Sequence, residues 1–260
     1  MQSLRFQPRE GHLSARRKFR GFKKEEPKAA RRMQVKESET TKRLVKAWSE
    51  LGSKYPKWDE VYQDALDVLK KNDLLHVSAH EIEKFSIILP SHDQNMPPTK
   101  LGTFLSALIN ESEDERFVVH TTNMRCRALG FRNRKHLTVE GPGGHCIGKQ
   151  MESGLIEVNG SAHDRAGEEM TGGTIIVNGY ASLYAGASMK GGELIINGDC
   201  VDEVGYVMEG GKITVNGDAG QEVGQHMRGG EIHLNGTYKW ISRLVDGGKI
   251  FHKGKLIVDR

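Results

Sequence analysis

The chain has 260 residues, of which 37% are hydrophobic and 31 are glycine, and its formal net charge is +4. Its three cysteines show no CxxC spacing, which argues against a disulfide framework and against a cysteine-ligated cluster. No window holds the roughly 18 apolar residues of a membrane span, and no apolar secretory segment opens the chain, so we expect a cytoplasmic protein without a membrane partner.

Residues 1–40 are predicted to form a basic, disordered arm. Residues 1–43 contain fourteen Lys or Arg against five Glu, so they carry a net charge of +9 and leave −5 for the rest of the chain. The arm has few aliphatic residues with which to offset the entropy of ordering. Its basic runs favour a solvated or subunit-docking tail, and binding to nucleic-acid phosphates is the alternative.

Residues 41–127 are predicted to form a small α+β region that caps the following domain. Apolar residues at helical spacing predict two helices within residues 41–72. The segment 74–89 is predicted to be extended and to stop at Pro90. A short helix is predicted over 101–110 and a strand over 116–122.

Residues 128–260 carry a 19-residue repeat, which is typical of a stacked architecture. Three kinds of residue recur at this period. The glycines are Gly148, Gly167, Gly186, Gly205 and Gly224, the methionines are Met151, Met170, Met189, Met208 and Met227, and the asparagines, each followed by glycine, are Asn159, Asn178, Asn197, Asn216 and Asn235.

Each repeat predicts one turn of a parallel β-helix. Strict alternation after each Gly-Gly pair predicts a strand with two inward apolar columns, and a second short strand is predicted before each repeated glycine. Gly-Gly and Asn-Gly are expected at corners, because both residues tolerate positive φ. Methionine is expected in the core and asparagine in a ladder of stacked amides. The predicted fold is therefore all-β, a single β-helix of about seven turns.

The repeated phrase G-x-x-M-x-GG-x-I-x-V-x-G, as in Gly167–Gly179 and Gly205–Gly217, resembles the GXGXG β-helix domain family. Members form the C-terminal part of the glutamate synthase large subunit and the C subunit of formylmethanofuran dehydrogenase. The resemblance covers roughly half of the chain. It implies a right-handed β-helix that holds catalytic modules in position, while the cofactor chemistry resides in other parts of those enzymes.

The residues that could carry chemistry are few. His145 and His163 lie at a similar level of adjacent turns but in different columns, so surface histidines are favoured over a metal site. Cys200 falls in a column of small residues and is expected to be buried, whereas Cys146 falls in an outward column and is the more plausible reactive thiol. We therefore expect no catalytic residue, cofactor or metal ligand. The outward residues Arg165, Tyr184, Glu203 and Glu222 form a possible docking stripe, with a solvated face as the alternative.

The repeat thus predicts a non-catalytic scaffold or assembly subunit that positions a protein partner or forms a homo-oligomer. One alternative is a subunit that contributes to an oxidoreductase or formyltransferase active site, in glutamate synthesis or one-carbon metabolism. Another is a nucleic-acid-binding protein that uses residues 1–40.

Overall fold

A computed structural model describes residues 38–51, 57–92, 98–122 and 124–260. Nearly all of the predicted arm, residues 1–37, therefore lies outside the described residues. Within them, four helices precede a sheet of nine strands. The helices are α1 (Glu39–Glu50), α2 (Trp58–Lys71), α3 (Ala79–His92) and α4 (Pro98–Glu111). None of these described helices is both long and apolar enough to cross a bilayer.

The first, second and fourth helices form where apolar spacing predicts them. Helix α1 begins beside Ser38, whose hydroxyl accepts a hydrogen bond from the Thr41 N–H at 3.0 Å. Helix α3 contradicts the prediction that residues 74–89 are extended. Ile82, Phe85 and Leu89 are fully buried at helical spacing. The short apolar run that ends at Leu89 fits a strand or a helix equally well, and only tertiary packing decides between them.

Helix α4 lies directly on the first part of the solenoid. A side chain at Gly102 would collide with the backbone carbonyl of Arg127. The helix therefore packs so closely on the segment around Arg127 that only glycine fits at this position. The Ser106 hydroxyl donates to the Ala128 carbonyl at 3.2 Å and accepts from the Phe131 N–H at 3.1 Å. The helical region therefore covers the end of the apolar core, as a solenoid cap must.

The strands are β1 (Arg116–His120), β2 (His136–Glu140), β3 (Leu155–Val158), β4 (Thr174–Val177), β5 (Glu193–Ile196), β6 (Lys212–Val215), β7 (Arg228–Leu234), β8 (Gly247–His252) and β9 (Lys255–Asp259). Strands β1 to β8 pair in parallel and in chain order, which confirms the predicted β-helix of about seven turns. Because β1 belongs to this sheet, the solenoid begins before residue 128.

The interior of the solenoid is built from the repeated columns. The isoleucine, leucine and valine columns of the strands and all five repeated methionines are at most 1% exposed. The asparagine side chains form a continuous ladder, with amide-to-carbonyl distances of 2.7–2.9 Å from Asn159 to Asn235. The ladder satisfies polar groups along one corner and holds successive turns in register.

The corners differ from the prediction in one respect. The glycine of each Asn-Gly pair does not have positive φ. A Cβ at Gly198 would instead lie 2.7 Å from the Gly179 carbonyl oxygen in the preceding turn. Glycine is needed there because neighbouring backbones approach closely, not because the chain turns left-handed.

The predicted second strand is also wrong. Between the Asn-Gly corner and the methionine, each turn has a single-residue bridge, such as Ala162 with Ala181, followed by tight turns. In each turn, the residue two positions before the repeated glycine has a left-handed backbone. Its φ is 55–62° at Cys146, Arg165, Tyr184, Glu203 and Glu222. A left-handed residue breaks the alternation of side chains along a strand, so inward and outward positions cannot be assigned by counting.

The last strand was not predicted. Strand β9 returns antiparallel to β8, with a register shift beside Ile250. Lys255 and Asp259 at its ends are exposed. An irregular edge strand with terminal charges disfavours pairing with other sheets, so β9 closes the solenoid at this end.

Candidate functional site

The structure brings His145 and His163 together, which corrects their assignment to different columns. Their rings stack with centroids 4.9 Å apart and an interplanar angle of 18°. Gly144 pairs with Ala162, a spacing of 18 residues, whereas Ala162 pairs with Ala181 at the regular 19. The corner after β2 is one residue longer than the next corner, and this shift aligns the two histidines.

The two imidazoles lie in a cleft of about 590 Å³ on the side of the first turns. The residues that line it are Met124, Arg125, Cys126, Arg127, Pro142, Gly144, His145, His163 and Asp164. The volume is that of a site for a small molecule. The cleft is therefore the candidate functional site.

Asp164 is the carboxylate of this cleft, and protein groups hold both of its oxygens. Its Oδ1 accepts a hydrogen bond from the Leu183 N–H at 3.3 Å, and its Oδ2 lies 3.5 Å from His145 Nδ1. Burial raises the Asp164 pKa, but hydrogen bonds from Ser182 and Leu183 outweigh burial and leave it below its ordinary value. The carboxylate is thus ionised at neutral pH and positions the His145 ring.

Burial is the main effect that opposes protonation of His145. Burial lowers the His145 pKa, Asp164 raises it, and the neighbouring His163 and Arg127 lower it further. The net shift is downward. At neutral pH His145 is therefore a neutral imidazole in a cleft that Arg125 and Arg127 also line.

Arg125 and Arg127 are exposed on the rim of the cleft. The Arg127 guanidinium lies 5.6 Å from the centre of the Trp58 ring in α2, a cation–π contact that orients it. Neither guanidinium forms an ion pair with a carboxylate in the part of the chain that the structure describes. Spacing alone could have located this site, since Arg127, His145 and His163 are each 18 residues apart.

The prediction that Cys146 faces outward is wrong. Cys146 is 2% exposed, and its short side chain lies close to those of Arg127, Glu168 and Lys149. Burial, together with the nearby Glu168, raises its pKa to about 11. Cys200 is buried in its small-residue column, and burial raises its pKa to about 12. Neither thiol has the character of a nucleophile.

Slow thiol alkylation of the folded protein is expected. With a pKa of about 11, roughly a thousandth of Cys146 is thiolate at about pH 8. Labelling by iodoacetamide, followed by mass spectrometry, should accelerate sharply once the protein is unfolded. Fast labelling of the folded chain that disappears in Cys146→Ser would contradict the buried position.

The stripe of Arg165, Tyr184, Glu203 and Glu222 is a row of side chains on the left-handed corner. The Arg165 guanidinium lies 5.1 Å from the Tyr184 ring centre. The Tyr184 hydroxyl hydrogen-bonds Glu203, which raises the tyrosine pKa. Glu222 accepts a hydrogen bond from the Trp240 indole N–H at 2.9 Å. Trp240 therefore continues the stripe by one turn, a member that the irregular last repeat hides in the sequence.

Four aromatic side chains and one leucine make up what we call the aromatic row, which shares Tyr184 and Trp240 with the stripe and adds Tyr206, His226 and Leu244. Ring centroids are 5.5 Å apart for Tyr184 and Tyr206, and 6.2 Å for Tyr206 and His226. Trp240 is 47% exposed and Leu244 51% exposed, and both line a cleft of about 730 Å³. Exposed tryptophan and tyrosine on a rigid surface are typical of protein interfaces.

Among the described residues, no group of three or more His, Cys, Asp and Glu side chains is arranged to hold a metal ion.

Comparison of the chain with protein-family models and with curated proteins finds no match.

Proposed function

We propose that this protein is a non-catalytic scaffold subunit that docks a catalytic partner along the aromatic row. The observation that supports the proposal is the row itself, in which Trp240 and Leu244 remain about half exposed. Tryptophan and tyrosine supply large contact areas at low entropic cost, so they dominate protein interfaces.

The repeat supports the same proposal from another direction. The methionines, the asparagine ladder and the corner glycines all have structural roles, which leaves the outward side chains for recognition. The resemblance to the GXGXG family suggests a partner with redox, amidotransferase or formyltransferase activity. Such a scaffold holds catalytic modules in position and leaves the chemistry to them.

A second candidate function is a contribution to a partner's active site. The cleft around His145 supports it, because a carboxylate-held imidazole beside two arginines is a polar site of small-molecule size. The partner would supply the remaining groups, in glutamate synthesis or one-carbon metabolism.

The scaffold proposal predicts a stable complex with an enzyme subunit. Tagged protein purified from its native source should carry that subunit in fixed stoichiometry, identified by mass spectrometry. Trp240→Ala should weaken the complex by about 2 kcal/mol, which is roughly thirtyfold in affinity. The midpoint of thermal unfolding of the Trp240→Ala chain should differ little from that of the parent chain, because the indole lies on the surface.

Tyr180 provides the matched control for this experiment. It is 49% exposed, close to the 47% of Trp240, but it directly follows the Asn178-Gly179 corner, beside the asparagine ladder. Tyr180→Ala should leave the complex intact. Purification of a single monomeric species, or equal loss in both variants, would count against docking through the aromatic row.

A further inference from the structure

We propose that the cleft around His145 binds a small organic anion that carries a phosphate or carboxylate group, with Arg125 and Arg127 as its charged contacts. This site goes beyond the scaffold proposal, because the isolated chain would bind the ligand without any partner.

The charged residues that line the cleft are two arginines and one aspartate. Arg125 and Arg127 are exposed and have no carboxylate partner among the described residues. Asp164 is the one acidic residue in the lining, and Leu183 and His145 already engage both of its oxygens. The cleft therefore carries excess positive charge, and planar guanidinium groups match the paired oxygens of carboxylate and phosphate.

Asp164 and His163 fix the orientation of the His145 imidazole. Because Asp164 lies against Nδ1 of His145, the other ring nitrogen, Nε2, is the one left to meet a ligand. His163 stacks on the same ring and limits its rotation. A bound anion would favour the protonated ring and oppose the effects of burial, His163 and Arg127 that now lower the His145 pKa.

Part of the cleft wall is apolar. Met124 and Pro142 contribute apolar surface, and the cleft of about 590 Å³ is far larger than an inorganic ion. Sites of this size hold an organic body against apolar side chains and fix its orientation with a few polar contacts. The combination favours an organic anion over a simple ion.

The Arg127 side chain also links the cleft to the helical cap. Its guanidinium lies against Trp58 of α2, so the cap positions one of the two anion contacts. Arg127 also hydrogen-bonds the Cys146 thiol, and removing it could disturb the buried corner as well as the site. Arg125 has no such second role in the described structure, which makes Arg125→Gln the cleaner substitution.

The test is a titration of the isolated chain with phenyl phosphate and with malonate. Calorimetry should show saturable binding, and histidine NMR should show a rise in the His145 pKa on saturation. Arg125→Gln should weaken binding about tenfold or more, since a lost charged contact is of that size. Arg127→Lys keeps the positive charge but loses the planar guanidinium that can form two parallel hydrogen bonds, so it should also weaken binding of the probes.

Arg228→Gln is the matched control, since Arg228 is an exposed solenoid arginine on β7. It should bind both probes as the parent chain does. Tighter binding of phenyl phosphate assigns a phosphate ligand, and tighter binding of malonate assigns a carboxylate. Absence of saturable binding by both probes, or equal weakening in Arg228→Gln, overturns the site and leaves the scaffold proposal untouched.

Discussion

Replacing Gly211 by valine is expected to lower the free energy of unfolding by roughly 3 kcal/mol or more. Gly211 has φ of +83°, a conformation that β-branched residues strongly avoid. A Cβ there would lie 2.8 Å from the Gly192 carbonyl oxygen and 2.9 Å from the Gly191 carbonyl carbon. Both atoms belong to the backbone of the preceding turn, so the clash can be relieved only by moving a whole turn.

Gly254 separates the two contributions to this cost. Its φ is +76°, but a Cβ there would meet nothing within 4 Å. Gly254→Val should therefore show only the conformational strain, about 1–2 kcal/mol. Denaturant unfolding of both variants measures the difference. If Gly211→Val costs no more than Gly254→Val, close stacking of the Gly-Gly corners does not constrain the fold.

Gly205→Val tests a different contact. A Cβ at Gly205 would lie 2.6 Å from the end of the Ile232 side chain, inside the apolar core. A side-chain methyl can move more easily than a backbone carbonyl, although the φ of +70° adds strain. We expect a cost of about 1–3 kcal/mol, smaller than that of Gly211→Val, measured in the same unfolding experiment.

The strands were predictable because a single physical rule determines them. Ile213 and Val215 alternate with polar neighbours, and a strand with one buried face has a period of two. The methionine and asparagine columns add independent markers at the same spacing. A repeat supplies each inference five times, so an error at one turn is corrected by the others.

The cap and the corners lack such redundancy. Helix α3 occurs once, and its apolar residues fit two secondary structures until α4 and β1 pack against it. Cys146 occupies a left-handed position whose non-glycine occupants share no chemical property, so composition carries no sign of it. Side-chain direction at such corners depends on tertiary contacts, here with Arg127 and Glu168.

The candidate site was missed for a related reason. The alignment of His145 with His163 depends on one extra residue in the corner after β2. Counting at a constant period of 19 places them apart, whereas the local spacing of 18 joins them to Arg127. The candidate functional side chains thus lie where the repeat is irregular, beside the cap and again at Trp240.

Replacing Lys149 by methionine is expected to lower the free energy of unfolding by about 3 kcal/mol. The Lys149 side chain is only 5% exposed, and its ammonium lies 3.0 Å from Glu168 and 2.9 Å from Glu169. Removing the ammonium group leaves the Glu168 and Glu169 carboxylates without the positive charge that offsets their mutual repulsion and their partial burial. Arg165 and Gln150 still contact them, at 2.7 Å in each case, which keeps the cost at the lower end for a buried pair.

At acidic pH, the parent chain and Lys149→Met should differ less in their free energy of unfolding than they do at neutral pH. Burial raises the Glu169 pKa, but hydrogen bonds from Gln150 and Lys149 outweigh it, so the pKa lies below its ordinary 4.5. A carboxylate with a lowered pKa stabilises the fold above that ordinary value and loses the effect as the pH falls through the lowered one. Unfolding curves measured across this range should converge toward low pH.

At alkaline pH, the stabilisation that Lys149 provides is lost as the pH rises, whereas the contribution of Glu169 is lost as the pH falls. Burial lowers the Lys149 pKa, but Glu169 and Glu168 outweigh burial and raise it above its ordinary 10.5. The stabilisation is therefore complete below that value and is lost as the pH rises through the raised pKa. Lys249→Met, at an exposed position on β8, should change the stability by less than about 0.5 kcal/mol at any pH. Equal stability of the Lys149 and Lys249 variants would mean that the buried ion pair does not hold adjacent turns together.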